Sequence, residues 1–283
     1  MPLPRRTFLG GMGLLGATLR GSLSGRAGAV EIGICADAAH FSDAVRYGFD
    51  YFEPDASEIA AMDESRFAEF RAQVLASPIR SKSFRILFRK TRVVGPDVNE
   101  REVATYVDRT LGRCQQLGGE IMVYGSGGSR NVPEGFSRDR AWDQIRSFLR
   151  MAGDLAARHE MVIGIEALKR PDSNIINKSA ESLRLVHELN HPHVKMIVDF
   201  YHMFLENEDP QIVWEARQEI VHLHFANPAG RRWPRSASES PGYKPFFDVL
   251  KKINFHRGLS IEGNGTFEAD ADASMRFFRE MLA

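Results

Sequence analysis

Residues 220–227 read IVHLHFAN, and three other stretches of the chain have the same form. They are MVIGIEAL at 161–168, KMIVDFYH at 195–202 and GLSIEGNG at 258–265. Each contains a short apolar run of the kind that forms a buried strand. Each run is followed by or ends in an acidic or imidazole side chain: Glu166, Asp199, His224 or Glu262. Burying such a group at the end of a strand costs free energy unless the group has a partner or opens into a site. We therefore expect the four side chains to lie in one common site.

Strand and helix patterns alternate along the rest of the chain. The predicted strands are 32–36, 51–53, 83–88, 121–124, 161–165, 196–198, 220–225 and 259–261. Eight strand–helix units in about 250 residues are typical of a single α/β domain with the (β/α)8 TIM barrel fold. An open doubly wound sheet is the alternative, but no Gly-x-Gly-x-x-Gly motif follows the first strand. A barrel has its active site at the carboxyl ends of the strands, where the four residues lie.

Two glutamates, an aspartate and a histidine are a suitable donor set for a divalent metal. Carboxylate oxygens and an imidazole nitrogen accept Mn2+, Mg2+, Co2+ or Zn2+. The sequence therefore predicts one divalent metal held by Glu166, Asp199, His224 and Glu262.

The N-terminal residues have the features of an export signal. Residues 4–9 read PRRTFL, a weakly apolar, Gly-rich stretch follows, and residues 27–29 read AGA. This order predicts a twin-arginine signal over residues 1–29, recognised by the twin-arginine translocase, and a periplasmic or secreted protein. A simple N-terminal extension with a chance Arg pair is the alternative. We expect residues 30–283 to form the barrel domain.

The charge balance gives no indication of a nucleic-acid partner. Lys plus Arg and Asp plus Glu number 37 each, so the chain lacks the basic excess of a nucleic-acid-binding protein.

The two cysteines, Cys35 and Cys114, lie in apolar patterns. We expect both to be buried free thiols, although an oxidising compartment would permit a disulfide.

The chain resembles the xylose isomerase-like TIM barrel superfamily, the sugar phosphate isomerase/epimerase group. The resemblance covers nearly all of residues 30–283, and its most specific stretches are GIEALKRPDSN, VDFYHMF, HLHFANPAGRRWP and LSIEGN, with GFDYFE at 48–53. It implies that Glu166, Asp199, His224 and Glu262 are the metal ligands. It also implies that His202 and Arg231 contact a small carbohydrate substrate.

The resemblance implies a metal-dependent isomerase or epimerase of sugars, keto-sugars or inositols. Glu166 and Glu262 are the catalytic candidates, because one carboxylate can remove a proton next to a carbonyl and a second can return it after an enediolate has formed. Lys169 departs from the family pattern, in which Asn is usual. A cation there would favour an anionic or keto substrate unless it points away from the site. The resemblance also allows a homo-oligomer.

Three other functions would place different requirements on the sequence. A metal-dependent lyase or hydrolase of 3-keto-sugars or glycosides would begin with the same deprotonation and then eliminate a leaving group. A DNA repair enzyme resembling endonuclease IV would need further histidines after the third and fourth strands, where the chain has FRK and YGS. A binding protein with a decayed site would be expected to have lost metal ligands.

Overall fold

The computed structural model describes residues 29–283. Apart from Ala29, the predicted export signal lies outside the described residues. Within the described range, none of the helices combines the length and apolarity needed to cross a membrane.

Eight strands and eleven α-helices alternate along residues 29–283. The strands are β1 (Glu31–Cys35), β2 (Tyr51–Glu53), β3 (Ser83–Phe84), β4 (Ile121–Tyr124), β5 (Val162–Ile165), β6 (Val194–Asp199), β7 (Ile220–Phe225) and β8 (Gly258–Ile261). The helices are α1 (Phe41–Arg46), α2 (Ala56–Ala61), α3 (Glu64–Ala76), α4 (Glu100–Gln116), α5 (Gly127–Arg130), α6 (Arg138–Arg158), α7 (Ser179–Leu189), α8 (Phe200–Leu205), α9 (Gln211–Glu215), α10 (Tyr243–Lys252) and α11 (Phe267–Leu282). Short 3-10 turns at Ala38–His40 and Ala237–Glu239 complete the set.

The strands form one parallel sheet that curves into a nearly closed barrel. Its order is β2-β1-β8-β7-β6-β5-β4-β3, so β2 and β3 are the two edge strands. The curvature of the sheet brings these two edges together. They meet through a bridge between Asp55 and Arg85, and the backbone N–H of Phe52 donates to the carbonyl oxygen of Arg80 at 3.0 Å. The predicted (β/α)8 TIM barrel is therefore confirmed.

The third strand is shorter than the sequence indicates. We predicted residues 83–88, but the strand ends at Phe84. Ile86 has φ of +48°, a left-handed conformation that an extended strand cannot include and that a β-branched residue seldom adopts. Arg85 consequently lies at the carboxyl end of β3, on the face of the barrel where the predicted site lies.

Three short helices were not predicted, and each follows the carboxyl end of a strand. They are α2 after β2, α5 after β4 and α8 after β6. The carboxyl face of the barrel therefore combines these short helices with longer connections after β3, β5 and β7.

The barrel interior is filled by side chains beneath this face. Gly33, Tyr51 and Ser260 are aligned in one layer by the strand register. A Cβ on Gly33 would come within 2.2 Å of the Tyr51 ring, so glycine makes room for that ring. The Tyr51 hydroxyl lies 2.8 Å from the hydroxyl of Ser260. Because this layer is packed, it closes the barrel interior beneath the side chains of the next layer toward the carboxyl end.

Most of the apolar core lies between the barrel and its surrounding helices. Helices α4 and α6 begin at capping residues: Asn99 accepts the backbone N–H of Glu102, and Ser137 accepts that of Arg140. Each such cap typically contributes about 1 kcal/mol. Cys35 and Cys114 are buried free thiols, as predicted.

Candidate active site

Four side chains predicted from the sequence meet at the carboxyl ends of β5 to β8. Glu166 directly follows β5, Asp199 ends β6, His224 lies near the end of β7, and Glu262 directly follows β8. All four are buried. Each offers one ligand atom, and these atoms lie within 4.8 Å of one another. The parallel register causes this convergence, since it sets Asp199 beside His224 and places the ends of adjacent strands at one level.

The imidazole of His224 has two distinct sides. Its Nδ1 lies 3.0 Å from Oε1 of Glu166 and 3.3 Å from Oε2 of Glu262, so it faces the cluster. Its Nε2 lies 2.9 Å from Oε1 of Glu53, which is fully buried on β2. Burial alone would lower the pKa of His224, but the negative charges of Glu53 and its neighbours raise it well above the usual value.

The two carboxylate oxygens of Asp199 have different surroundings. Oδ1 accepts the backbone N–H of Tyr201 at 2.7 Å and thereby caps α8. Oδ2 is buried and, among the residues that the structure describes, has no hydrogen-bond partner. Burial raises the pKa of Asp199 to about 6. Nη2 of Arg231 lies 3.7 Å from Oδ2, too far for a hydrogen bond, so a positive group at closer range would further stabilise this buried oxygen.

Glu262 is held by two guanidinium groups. Nη1 of Arg85 donates to its Oε1 at 3.0 Å, and Nη2 of Arg231 donates to its Oε2 at 2.7 Å. Burial would raise the pKa of Glu262, but His224 and Arg231 outweigh it and hold the pKa well below its usual range. Arg231 also stacks over the Tyr201 ring, with its guanidinium carbon 4.9 Å from the ring centre.

His202 lies beside the cluster on the first turns of α8. The backbone N–H of Lys169 donates to its Nδ1 at 3.2 Å, which leaves the proton on Nε2. That Nε2 is 3.5 Å from Oδ2 of Asp199. Burial lowers the pKa of His202 to about 4, so the ring is neutral near pH 7. A neutral imidazole with a free N–H can donate to a substrate oxygen.

Lys169 does not reach into the cluster. Its Nζ binds the carboxylate of Asp172 at 2.7 Å. Of the two alternatives for this cation, the local ion pair with Asp172 favours the one in which Lys169 points away from the site.

The donor set fits a divalent metal. Three carboxylates and the imidazole of His224 converge, and Asp199 has one buried oxygen, Oδ2, without a hydrogen-bond donor among the described residues. Ligands of this kind suit Mn2+, Mg2+, Co2+ or Zn2+. A second group, Cys35, Glu53 and His224, also brings its donor atoms within 4.8 Å, but it lies on the Nε2 side of His224.

Glu53 and Arg85 were not identified as site residues from the sequence. Glu53 lies on a strand far from β7 in the chain, so its contact with His224 depends on barrel closure. Arg85 was hidden inside the overlong third strand. Two signals were available. The stretch GFDYFE at 48–53, which ends in Glu53, is part of the family resemblance. The His222–His224 pair is the second, because residues two apart on a strand share a face and both rings contact Glu53.

The chain is similar in sequence to a known family and to individual enzymes. Residues 41–281 match the family described as xylose isomerase-like TIM barrel. The chain is 27% identical over 199 residues to the 3-dehydro-D-guloside 4-epimerase of Escherichia coli, covering 67% of this chain and 73% of that protein. It is 28% identical over 190 residues to the D-psicose 3-epimerase of Enterocloster bolteae, covering 64% of this chain and 60% of the relative.

The fold is also shared with solved structures. A crystal structure of a D-psicose 3-epimerase in the presence of D-fructose superposes with a TM-score of 0.77 at 18% identity, covering 89% of this chain and 99% of that one. The two relatives described above are named as carbohydrate epimerases, and the structural match covers 89% of the chain.

Proposed function

Because the chain belongs to the xylose isomerase-like TIM barrel family, we propose that it is a metal-dependent isomerase or epimerase acting on a keto-sugar or a related small carbohydrate. The observation that carries this proposal is the convergence of Glu166, Asp199, His224 and Glu262 at the carboxyl face of the barrel. The activities named for the relatives, epimerisation of a dehydro-guloside and of a ketose, support it.

In this proposal the same four residues hold one divalent metal through three carboxylates and Nδ1 of His224. When bound, the ion would polarise a substrate carbonyl and acidify the adjacent C–H bond. The unsatisfied Oδ2 of Asp199 and the inward-facing Nδ1 of His224 are the features of the chain that favour this binding.

The proton transfer is assigned to Glu166 and Glu262. One carboxylate removes the proton from the carbon next to the carbonyl, and the C–H electron pair becomes the C=C bond of an enediolate as negative charge moves to oxygen. The other residue, protonated as the carboxylic acid, donates its proton to the opposite face of that carbon, which inverts the centre and leaves this residue as a carboxylate. Arg85 and Arg231 bind different oxygens of Glu262 and so restrict its orientation.

Two further residues are assigned to the substrate. The neutral ring of His202 would donate its Nε2–H to a substrate oxygen. Arg231 would bind a hydroxyl or carboxylate, since its side chain is about one-third exposed while its guanidinium also contacts Glu262. Both lie beside the four-residue cluster, so the substrate would be held between them and the proton-transfer groups.

The test is incubation of the metal-loaded protein with ketoses, inositols and 3-keto-glycosides in D2O, followed by NMR. Deuterium at the carbon next to the carbonyl, with the carbon skeleton intact, is the expected result. Release of an aglycone or formation of an unsaturated product would instead indicate elimination by a lyase. Absence of exchange in every substrate, despite bound metal, would contradict the proposal.

We also propose that the protein is exported through the twin-arginine pathway. The support is the sequence PRRTFL at residues 4–9 and the small-residue site at 27–29. An exported enzyme would encounter free sugars and glycosides rather than intracellular sugar phosphates.

A further inference from the structure

Glu53 forms a buried hydrogen-bond network directly behind His224. Its side chain is fully buried, and four donors surround it. Oε2 lies 2.6 Å from the Ser83 hydroxyl, 2.5 Å from the Ser260 hydroxyl and 2.8 Å from Nε2 of His222. Oε1 lies 2.9 Å from Nε2 of His224. Each carboxylate oxygen therefore has a separate set of partners.

The directions of these hydrogen bonds can be assigned. A carboxylate only accepts, so both hydroxyls and both imidazole nitrogens must donate to Glu53. The Ser260 proton is committed to Glu53, and the Tyr51 hydroxyl, 2.8 Å away, therefore donates to Ser260. By the same reasoning Nε2 of His224 carries a proton.

Nδ1 of His224 faces Glu166 and Glu262, and because the proton on Nε2 is held by Glu53, Nδ1 is the nitrogen that would exchange its proton for a metal. Carboxylates that accept the second N–H of a metal-bound imidazole fix its tautomer and ring orientation. We propose that Glu53 is a positioning residue that presents Nδ1 of His224 to the metal. This rests on the proposed function only in requiring that the four-residue cluster binds a metal.

The alternative grouping of Cys35, Glu53 and His224 does not compete with this assignment. Both oxygens of Glu53 are already occupied by N–H and O–H donors. A metal there would have to displace the donor of His224 that the network holds in place. The network is therefore a support for the cluster at the strand ends.

A structural role is the competing explanation, because Glu53 also connects β2 to β3, β7 and β8. Its two oxygens separate the two roles. Ser83→Ala removes a donor from Oε2 and leaves the contact of Oε1 with His224 in place. Glu53→Gln brings an amide N–H2 into a pocket of donors and removes the charge that His224 contacts.

The experiment measures metal binding without substrate. Mn2+ and Zn2+ affinities are determined by titration calorimetry for the wild-type protein, Glu53→Gln and Ser83→Ala, and the stability of each metal-free protein is measured by urea unfolding. We expect Glu53→Gln to weaken metal binding by about 10- to 100-fold, the usual effect of losing such a partner. Ser83→Ala should lose stability but bind metal within about twofold of wild type, because its contribution is one hydrogen bond remote from Nε2.

A measurement on the wild-type protein keeps the proposal testable if Glu53→Gln fails to fold. In the Zn2+-loaded protein labelled with 15N in its histidine rings, NMR should detect an N–H on Nε2 of His224 and metal coordination at Nδ1. Coordination through Nε2, or equal metal affinity of wild type and a folded Glu53→Gln, would overturn the role of Glu53. Failure of the wild type to bind any metal would instead overturn the proposed metal site.

Discussion

Gly125 and Glu166 are in direct contact at the carboxyl ends of β4 and β5. A Cβ atom placed on Gly125 would lie 1.7 Å from Oε2 of Glu166, far inside any allowed contact. The absence of a side chain at residue 125 thus defines where the Glu166 carboxylate can be. The position of Glu166 in the proposed site therefore depends on the space that Gly125 leaves.

Gly125→Ala should therefore displace the Glu166 carboxylate. We expect weakened metal binding and strongly reduced turnover, together with an overpacking cost of roughly 1–3 kcal/mol in the free energy of unfolding. Calorimetric metal titration, the deuterium-exchange assay and urea unfolding measure the three effects.

Gly128→Ala is the matched control. A Cβ at residue 128 meets no atom within 4 Å in the described part of the chain, and the residue lies in the short helix α5. This variant should keep wild-type metal affinity. Equal metal affinity and turnover in the two alanine variants would show that Gly125 does not constrain Glu166.

Asp199→Asn should greatly reduce bound metal while preserving the local fold. An amide oxygen can still accept the Tyr201 N–H and cap α8, but the negative charge available to a cation is lost. We expect the affinity to fall by more than about a hundredfold, since even an outer partner of a metal ligand contributes up to that amount. Elemental analysis and calorimetry provide the measurement.

Asp63→Asn makes the same chemical change at another helix cap. Asp63 accepts the backbone N–H of Arg66 at the start of α3, away from the cluster. Its metal content should equal that of the wild type. An unchanged metal content in Asp199→Asn would remove Asp199 from the metal site.

Glu262→Gln should abolish turnover at saturating metal. The amide cannot take or return a proton, and loss of such a group typically slows a reaction by about 10²- to 10⁴-fold. The assay is deuterium exchange on the best substrate, with Glu268→Gln on the exposed side of α11 as the control. Full activity of Glu262→Gln would eliminate its assigned acid/base role.

Arg231→Met should reduce kcat/KM without preventing metal binding. The loss of hydrogen bonds from a charged donor typically costs about 1.5–3 kcal/mol, which corresponds to roughly 10- to 100-fold. Arg235→Met removes a nearby exposed arginine whose guanidinium pairs with Asp270 at 3.6 Å. Similar kinetics for both variants would indicate that Arg231 is only a loop cation.

Replacement of Arg5 and Arg6 by lysine should keep the protein inside the cell. The twin-arginine translocase recognises the arginine pair, whereas a generally basic extension would tolerate the change. Fractionation of cells that express the full chain, with immunodetection of the barrel domain, measures the outcome. Unchanged export would exclude this signal, and an Arg20→Lys variant serves as a control for loss of a single arginine elsewhere in the segment.

The barrel and the convergence of the four strand-end residues could be anticipated because both follow from short-range pattern. Alternating strands and helices predict parallel pairing, and parallel pairing brings Glu166, Asp199, His224 and Glu262 to one face. The sequence also indicated two buried thiols. These inferences needed no knowledge of which side chains touch.

The supporting contacts could not be anticipated for the opposite reason. Glu53 and His224 are separated by 171 residues, and their contact exists only when β2 and β7 face each other across the barrel. Arg85 was missed because a run of apparently strand-forming residues continues to Phe88, while the left-handed Ile86 ends the extended backbone early. Long-range closure and a local backbone exception thus account for both omissions.

The join between β2 and β3 is linked directly to the proposed metal site. The four proposed metal ligands belong to β5–β8, which are joined by strand ladders with one register shift between β6 and β7, whereas Asp55 and Arg85 form an isolated bridge at the join. Arg85 also donates to Oε1 of Glu262, so the residue that helps to close the barrel also orients a proposed ligand. Opening of the barrel at this join would therefore also release the Glu262 carboxylate from one of its two guanidinium partners.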